Sequence, residues 1–486
     1  MALRPFRAAL FATAFAGLSL GACAVGPDYH RPAVNTGVTF KEADGWTLAN
    51  PSDALEKGDW WTVFNDPVLN DLEQKVSVSN QNLAQAEAAY SNAKALVEQN
   101  EATLFPTVTA TGSATQNKAS VSSLGRVSGV GGGVTSTALT SSSYSAGLDA
   151  TWSVDVWGRI RREIESAKDT AKASEADIAN ARLSAQIALA NDYVQLREQD
   201  ESKRLLDLAI AAYAKTLEIT QNKYTAGVAA QSDVLTAQTT LQTAQAQAVD
   251  VVRTRAALEH AIAVLIGQPP SALTIAALPA FNLVTPEIPV GMPSTLLERR
   301  PDVAAAERTM AAANAQIGVN IAGYFPSLSL SGSDGFTSSA LSQLFNSASN
   351  TWSIGASLSQ TVFDAGATQG RVRAARAVYN ENVAAYRQTV LTAVQQVEDA
   401  VAAERVLKVE EQIRDQASKE ADQAEAIVTN QYRAGTVDET TLVVAEATAL
   451  TARTTAVSTT LTRLQNAINL ISALGGGWQP TKSKMG

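Results

Sequence analysis

Few side chains in this 486-residue chain are equipped for covalent or metal chemistry, and those few stand apart. The two histidines, His30 and His260, sit in a proline-flanked stretch and in a helix-forming segment, far from one another. Neither has the Cys, His, Asp or Glu company that a metal cluster or a nucleophile–base pair needs. Asp149 and Asp155 share the polar side of an alternating segment, but no nucleophile accompanies them. That pairing suits a wet wall better than general acid–base work. No Gly-x-Gly-x-x-Gly or phosphate-cradling loop is present, and Gly131-Gly132-Gly133 falls in a Gly/Ser-rich loop. No catalytic residue, metal or soluble cofactor is expected, and the chain does not read as an enzyme.

Cys23 is the one reactive group with a specific context. It is the only cysteine, so an intrachain disulfide is excluded. Arg4 and Arg7 precede an apolar run from Ala8 to Leu20, and Leu20-Gly21-Ala22-Cys23 follows. This resembles a bacterial lipobox: residues 1–22 are a signal segment, and the Cys23 thiol takes a diacylglyceryl group. A plain secretory signal with an incidental cysteine is the alternative. Ala24 fits onward transport to the outer membrane. Several buried acyl methylenes, at about 0.8 kcal/mol each, would then hold the chain to a bilayer.

The rest of the chain is built from a repeated pair of elements. Gly158 to Gly227 recurs as Gly366 to Gly435, each span ending in a matching turn, Tyr224-Thr225-Ala226-Gly227 and Tyr432-Arg433-Ala434-Gly435. No Gly or Pro interrupts Arg159–Ala226 or Arg371–Ala434. Uninterrupted helices there would be on the order of 100 Å long, which predicts packed coiled coils. Val383, Tyr386, Val390, Val394, Val397 and Val401 follow the 3/4 spacing of a packing seam. Before each long segment the period changes. Tyr144, Ala146, Leu148, Ala150, Trp152, Val154 and Val156 alternate with Ser, Gly, Asp and Thr, and Trp352, Ile354, Ala356, Leu358 and Val362 do likewise. Shorter alternating runs follow Phe105-Pro106 and Phe325-Pro326. One greasy face and one small polar face is the pattern of a membrane barrel strand. Four strands cannot close a barrel and open edges are not tolerated in lipid, so two or three chains must contribute.

The net charge of −9 with scattered basic residues argues against a nucleic-acid partner. The expected domains are a signal segment at 1–22, a lipidated tether and irregular layer at 23–66, and a first repeat at 67–268. A linker at 269–300, a second repeat at 301–475 and a tail at 476–486 follow.

With these elements in place the chain resembles the TolC-type outer-membrane efflux proteins, in their lipoprotein, NodT-like branch. The resemblance rests on Cys23-Ala24-Val25-Gly26-Pro27-Asp28-Tyr29, on Glu298-Arg299-Arg300-Pro301-Asp302-Val303, on the Phe-Pro strand entries, on both Tyr-x-Ala-Gly turns, and on Ala473-Leu474-Gly475-Gly476-Gly477-Trp478. It implies a mixed α+β membrane protein: a long α-helical coiled-coil barrel joined to four β-strands per chain, which contribute to a trimeric twelve-stranded outer-membrane β-barrel. The implied function is a passive exit duct for small toxic compounds. Its implied partners are two further copies, outer-membrane lipid, a periplasmic adaptor and an inner-membrane efflux transporter. Alternatives are the duct of a type I protein secretion system and a lipid-anchored structural coiled coil that conducts nothing.

By the same resemblance Tyr432 matches a tyrosine of the periplasmic tip constriction, and Asp233 an acid on the neighbouring helix that latches it. The alternative is that Tyr224 and Tyr432 simply pack the turns. The family's basic residue five positions after the tyrosine and acidic residue twelve after are here Val437 and Val444. Nearby Asp438, Glu439 and Glu446 are expected either to form an acidic gate ring across three chains or to be ordinary solvated helix charges. Tyr224, Gly227 and Gly435 are expected at the adaptor's docking surface.

Overall fold

The computed structural model describes residues 24–34, 41, 59–118, 140–279, 283–286, 288 and 300–476. Cys23 and the signal segment, residues 119–139 of the Gly/Ser loop, and the tail from Gly477 onward lie outside the described residues, as do residues 280–282, 287 and 289–299 of the linker. A 3₁₀ turn, Trp60–Phe64, leads into α1 (Pro67–Ser79) and α2 (Gln81–Ala102). Then come β1 (Thr107–Lys118), β2 (Thr140–Val154), α3 (Arg159–Thr225) and α4 (Gln231–Leu265). The second half runs α5 (Pro301–Ala322), β3 (Ser327–Ser338), β4 (Asn350–Ser359), α6 (Ala367–Arg433) and α7 (Glu439–Ala473).

The duplication is literal in the element lengths. α2 and α5 have 22 residues each, β1 and β3 have 12, α3 and α6 have 67, and α4 and α7 have 35. Among the described residues no helix is both long and apolar enough to cross a membrane.

The chain folds into two compact units, each drawing on both halves of the sequence. The first holds the antiparallel sheet, in the order β1-β2-β3-β4. Its register separates an apolar from a polar face over most of the sheet, with Asp334, between Leu148 and Trp352, an exception on the apolar side. Val108, Ala150 and Gly332 fall in line, as do Trp152, Leu330 and Ala356, whereas Thr109, Asp149, Ser333 and Ser353 share the other side. On the polar face the Ser113 and Ser145 hydroxyls meet at 2.8 Å, as do those of Ser333 and Ser353. Thr111 donates to Asp149 at 3.0 Å. On the other face Ile354 is 84% exposed and Trp352 71% among the described residues.

Asp155 departs from the expected wall. β2 ends at Val154, and the Asp155 carboxylate accepts the Ile160 and Arg161 amides at 3.1 and 3.0 Å. The free amides of a helix start outcompete a lumen position for this acid. The alternating run before α6 is shorter than expected for a similar reason: β4 ends at Ser359, and Asp364 accepts the Gly366 and Thr368 amides at 2.9 and 2.7 Å.

The second unit contains the apolar core. Trp60, Trp61 and Phe64 pack with Leu69, Leu72 and Val76 of α1, with Leu189, Tyr193 and Val194 of α3, and with Val397, Leu464 and Ile468. The predicted seam of α6 is real at Tyr386, Val390, Val397 and Val401, all at most 1% exposed. Asn80 separates α1 from α2: it accepts the Leu83 amide at 3.1 Å and donates to the Leu265 carbonyl at 2.8 Å. Arg300 is 8% exposed. It donates to the Ala473 carbonyl at 3.0 Å, closing an open end of α7, and to Gln396 at 2.8 Å.

A polar seam at the hairpin turns as the candidate gate

Both hairpins, α3–α4 and α6–α7, turn in the same way. The Val228 amide reaches back to the Lys223 carbonyl and the Gly227 amide to Tyr224, each at 2.9 Å. Thr436 and Gly435 repeat the pair on Gln431 and Tyr432 at 3.0 and 3.1 Å. This is the Schellman termination, with glycine in the left-handed position. Gly227 and Gly435 have φ of +78° and +75°, and a Cβ on either would touch nothing within 4 Å. Backbone conformation, not space, therefore calls for glycine at both.

The returning helices are then capped by acids. Asp233 sits in the first turn of α4 and accepts the Ala230 amide at 3.0 Å and the Ser232 hydroxyl at 3.1 Å. Asp438 is the N-cap of α7, accepting the Thr441 amide at 2.8 Å and its hydroxyl at 2.6 Å. Those two bonds hold the exposed Asp438 carboxyl below the usual carboxylate range.

Between the helices runs a seam that is polar where a coiled coil is normally apolar. On α3 the buried residues Leu206, Ala209, Tyr213, Thr216 and Thr220 recur at 3/4 spacing. On α7 Glu439, Leu442, Glu446 and Ala449 do the same. Tyr432, 2% exposed, shares a 3.1 Å hydrogen bond between its hydroxyl and that of Thr220, while the Lys223 ammonium lies 3.6 Å from the centre of its ring. The Thr216 hydroxyl donates to one Glu446 oxygen at 3.1 Å. The other Glu446 oxygen and both oxygens of Glu439 are buried without a hydrogen-bond partner among the described residues. Burial pushes the Glu446 carboxyl up to about 7, with Glu425 and Glu439 adding to the rise against the pull of Thr216. Burial also raises Glu439, helped by the charge of Asp233 and opposed by Thr220 and Lys223. A groove of about 550 Å³ runs past Glu446 and Tyr213, and Arg453 at its wall is already held by Asp422 at 2.7 Å and Glu425 at 2.6 Å.

Single hydrogen bonds of this kind are worth about 1 kcal/mol net. The seam can therefore hold neighbouring helices together and still part when something pulls. What the seam offers is polar side chains meeting across helices, Thr216 on Glu446 and Thr220 on Tyr432.

The sequence model of outer membrane efflux proteins matches residues 72–268 and 292–476. This chain belongs to the outer membrane efflux protein family. Its relatives in that family include TtgC of Pseudomonas putida, a probable efflux pump outer membrane protein, 31% identical over 484 residues and 96% of each chain. OpmQ of Pseudomonas aeruginosa, a pyoverdine export outer membrane protein, is 33% identical over 480 residues, 95% of each chain. The solved outer-membrane channel OprN is 32% identical and superposes with a TM-score of 0.84, over 94% of this chain and all of that one. The chain is an outer-membrane efflux channel with the mixed helical and four-stranded fold of its relatives.

The structure of this efflux protein redistributes the residues singled out in its sequence. Tyr432 is at the turn and buried, but its hydroxyl goes to Thr220, and the Asp233 carboxylate is engaged by its own helix start; no hydrogen bond joins the two within one chain. Tyr224 is 47% exposed beside Gly227. Asp438, Glu439 and Glu446 fall in two different settings within the chain, and only Asp438 is an exposed helix charge. The first is a cap, and the other two occupy interior seam positions at 8% and 6% exposure. Their heptad-like spacing turns them inward, away from water. Thr216, Thr220 and Lys223 were missed, although the 3/4 recurrence on α3 was there to be read.

Proposed function

We propose that three copies of this chain close a twelve-stranded barrel and act as the passive exit duct of a tripartite efflux system. An inner-membrane transporter and a periplasmic adaptor would deliver small toxic compounds to it, and acylation at Cys23 would anchor it. The observation that carries this reading is the open sheet. Among the described residues β1 and β4 each pair on one side only, and an unpaired strand edge in lipid leaves backbone groups costing several kcal/mol apiece. Other copies must satisfy those edges, and similarity to efflux channels such as OprN favours three.

In this reading the serine- and threonine-rich sheet face lines the water path and the apolar face meets lipid. Tyr432, Thr220, Thr216 and Glu446 hold the periplasmic tip shut. Asp233 and Asp438 fix the helix starts that carry it, and the turns around Tyr224, Gly227 and Gly435 present themselves to the adaptor. The mass of the detergent-purified oligomer tests the closure: three chains are expected, and a monomer that still inserts into bilayers would overturn it.

A further inference from the structure

The duplication shows what a returning helix of this fold needs and what it does not. α4 and α7 have equal length and start at matching positions, Gln231 and Glu439. On α7, Glu439, Glu446 and Arg453 recur at heptad spacing, and the matching positions of α4 are Gln231, Gln238 and Gln245. The α3 residues facing Glu446, Tyr213 and Thr216, have Ala421 and Ala424 as their counterparts on α6. The first returning helix is built without a charge at any of these places. The charges of the second are therefore surplus to the fold.

The groove beside Glu446 is bounded by α3, α6 and α7 and holds about 550 Å³, a size suited to a small molecule. One wall is apolar, with Leu205, Leu208, Ala209 and Ala212 of α3 and Ala456 and Val457 of α7. The other is charged. Arg453 is spent on Asp422 at 2.7 Å and Glu425 at 2.6 Å, and Arg204 on Glu201 at 2.6 Å. Glu446 is left over. It is 6% exposed, Thr216 donates to one of its oxygens, and the other has no partner among the described residues. The buried Tyr213 ring shares this space: burial raises its phenol, and the charges of Glu446 and Glu425 add to the rise.

A buried carboxylate oxygen without a donor is costly to leave so, and a ligand in the groove could supply one. Hard metal ions take about six or more oxygen ligands, far more than the single free oxygen of Glu446. A primary ammonium needs only one strong acceptor and gains from an aromatic face. We propose that this groove binds a primary organic ammonium with an apolar stem, its head on Glu446 and Tyr213 and its stem along Leu205, Leu208 and Ala212. Occupancy would join α3 to α7 through the ligand.

Equilibrium dialysis of the full-length oligomer in nanodiscs of zwitterionic lipid, with empty nanodiscs as the blank, tests this with hexylamine as the probe. The pH is 8, above the value of about 7 to which burial raises Glu446. One saturable site per chain is expected, and hexanol, the neutral counterpart, should bind at least about tenfold more weakly. Glu446→Gln, which copies Gln238 of the first repeat, should weaken hexylamine about tenfold and leave hexanol unchanged. Tyr213→Leu should weaken the amine about threefold. Glu218→Gln, which removes an exposed charge of α3, should change neither. Equal binding of amine and alcohol by wild type, or no saturable binding, overturns the site, and this comparison decides even where a variant fails to assemble. Hexylamine bound as tightly by Glu446→Gln as by wild type also overturns it. Occupancy is read without conduction, so the site stands or falls apart from the duct reading.

Discussion

Burying Glu446 between α3 and α7 makes the stability of the tip depend on pH. In the unfolded chain this carboxyl titrates near 4.5, and in the seam near 7. Below 4.5 both forms are protonated and the group is silent. Between those values the folded state holds a proton the unfolded state has released, so stability falls as pH rises. Above 7 the loss is complete and on the order of 3 kcal/mol. Glu446→Gln should therefore raise the melting temperature at pH 8, change it little at pH 4, and flatten the difference between them. Equal responses of variant and wild type to pH would contradict the burial of this carboxylate. The acids near the second turn were visible in the sequence, but their roles were not. Asp438 reads as a cap only once the helix start is known. Glu439 and Glu446 read as interior only when their spacing is laid against that of Thr216 and Thr220, some two hundred residues away.

At the scale of elements, the long helices and the strands were legible because each leaves a periodic trace. Glycine at a left-handed turn marks where the hairpins reverse, and alternation of Trp, Leu and Val with Ser and Thr marks the wall. Two predictions belong here. Gly435→Ala forces a left-handed backbone on a residue with a Cβ and should cost about 1–2 kcal/mol; Gly435→Asn should cost less, measured as the shift in melting temperature. On β4, Ile354→Lys places a charge on the face turned to lipid, at a cost of about 2–4 kcal/mol near mid-bilayer, and should deplete the protein from the outer-membrane fraction. Ser353→Lys, one residue away on the polar face, should assemble normally, and equal depletion by both would mean the faces are assigned wrongly. The capping by Asp155 was not legible. It is a contact between particular atoms, and it imposes no period on the chain.

At the scale of the whole molecule, the proposed duct would combine two chemistries: a permanent wall in the membrane and a releasable seam at the hairpin turns. The wall follows from the sheet's two contrasting faces and its open edges. The seam follows from hydroxyls and buried carboxyls where a coiled coil would ordinarily place aliphatic side chains. Adaptor and pump would act on that seam without any energy source in the duct itself. Single-channel conductance of the purified oligomer in planar bilayers tests this most directly, with wild type beside Tyr432→Phe combined with Thr220→Val. The account predicts brief, small openings in wild type and longer or larger ones in the double variant. Channels of equal size and open time in both would contradict the seam as the gate, and a folded oligomer that never conducts would contradict the duct itself.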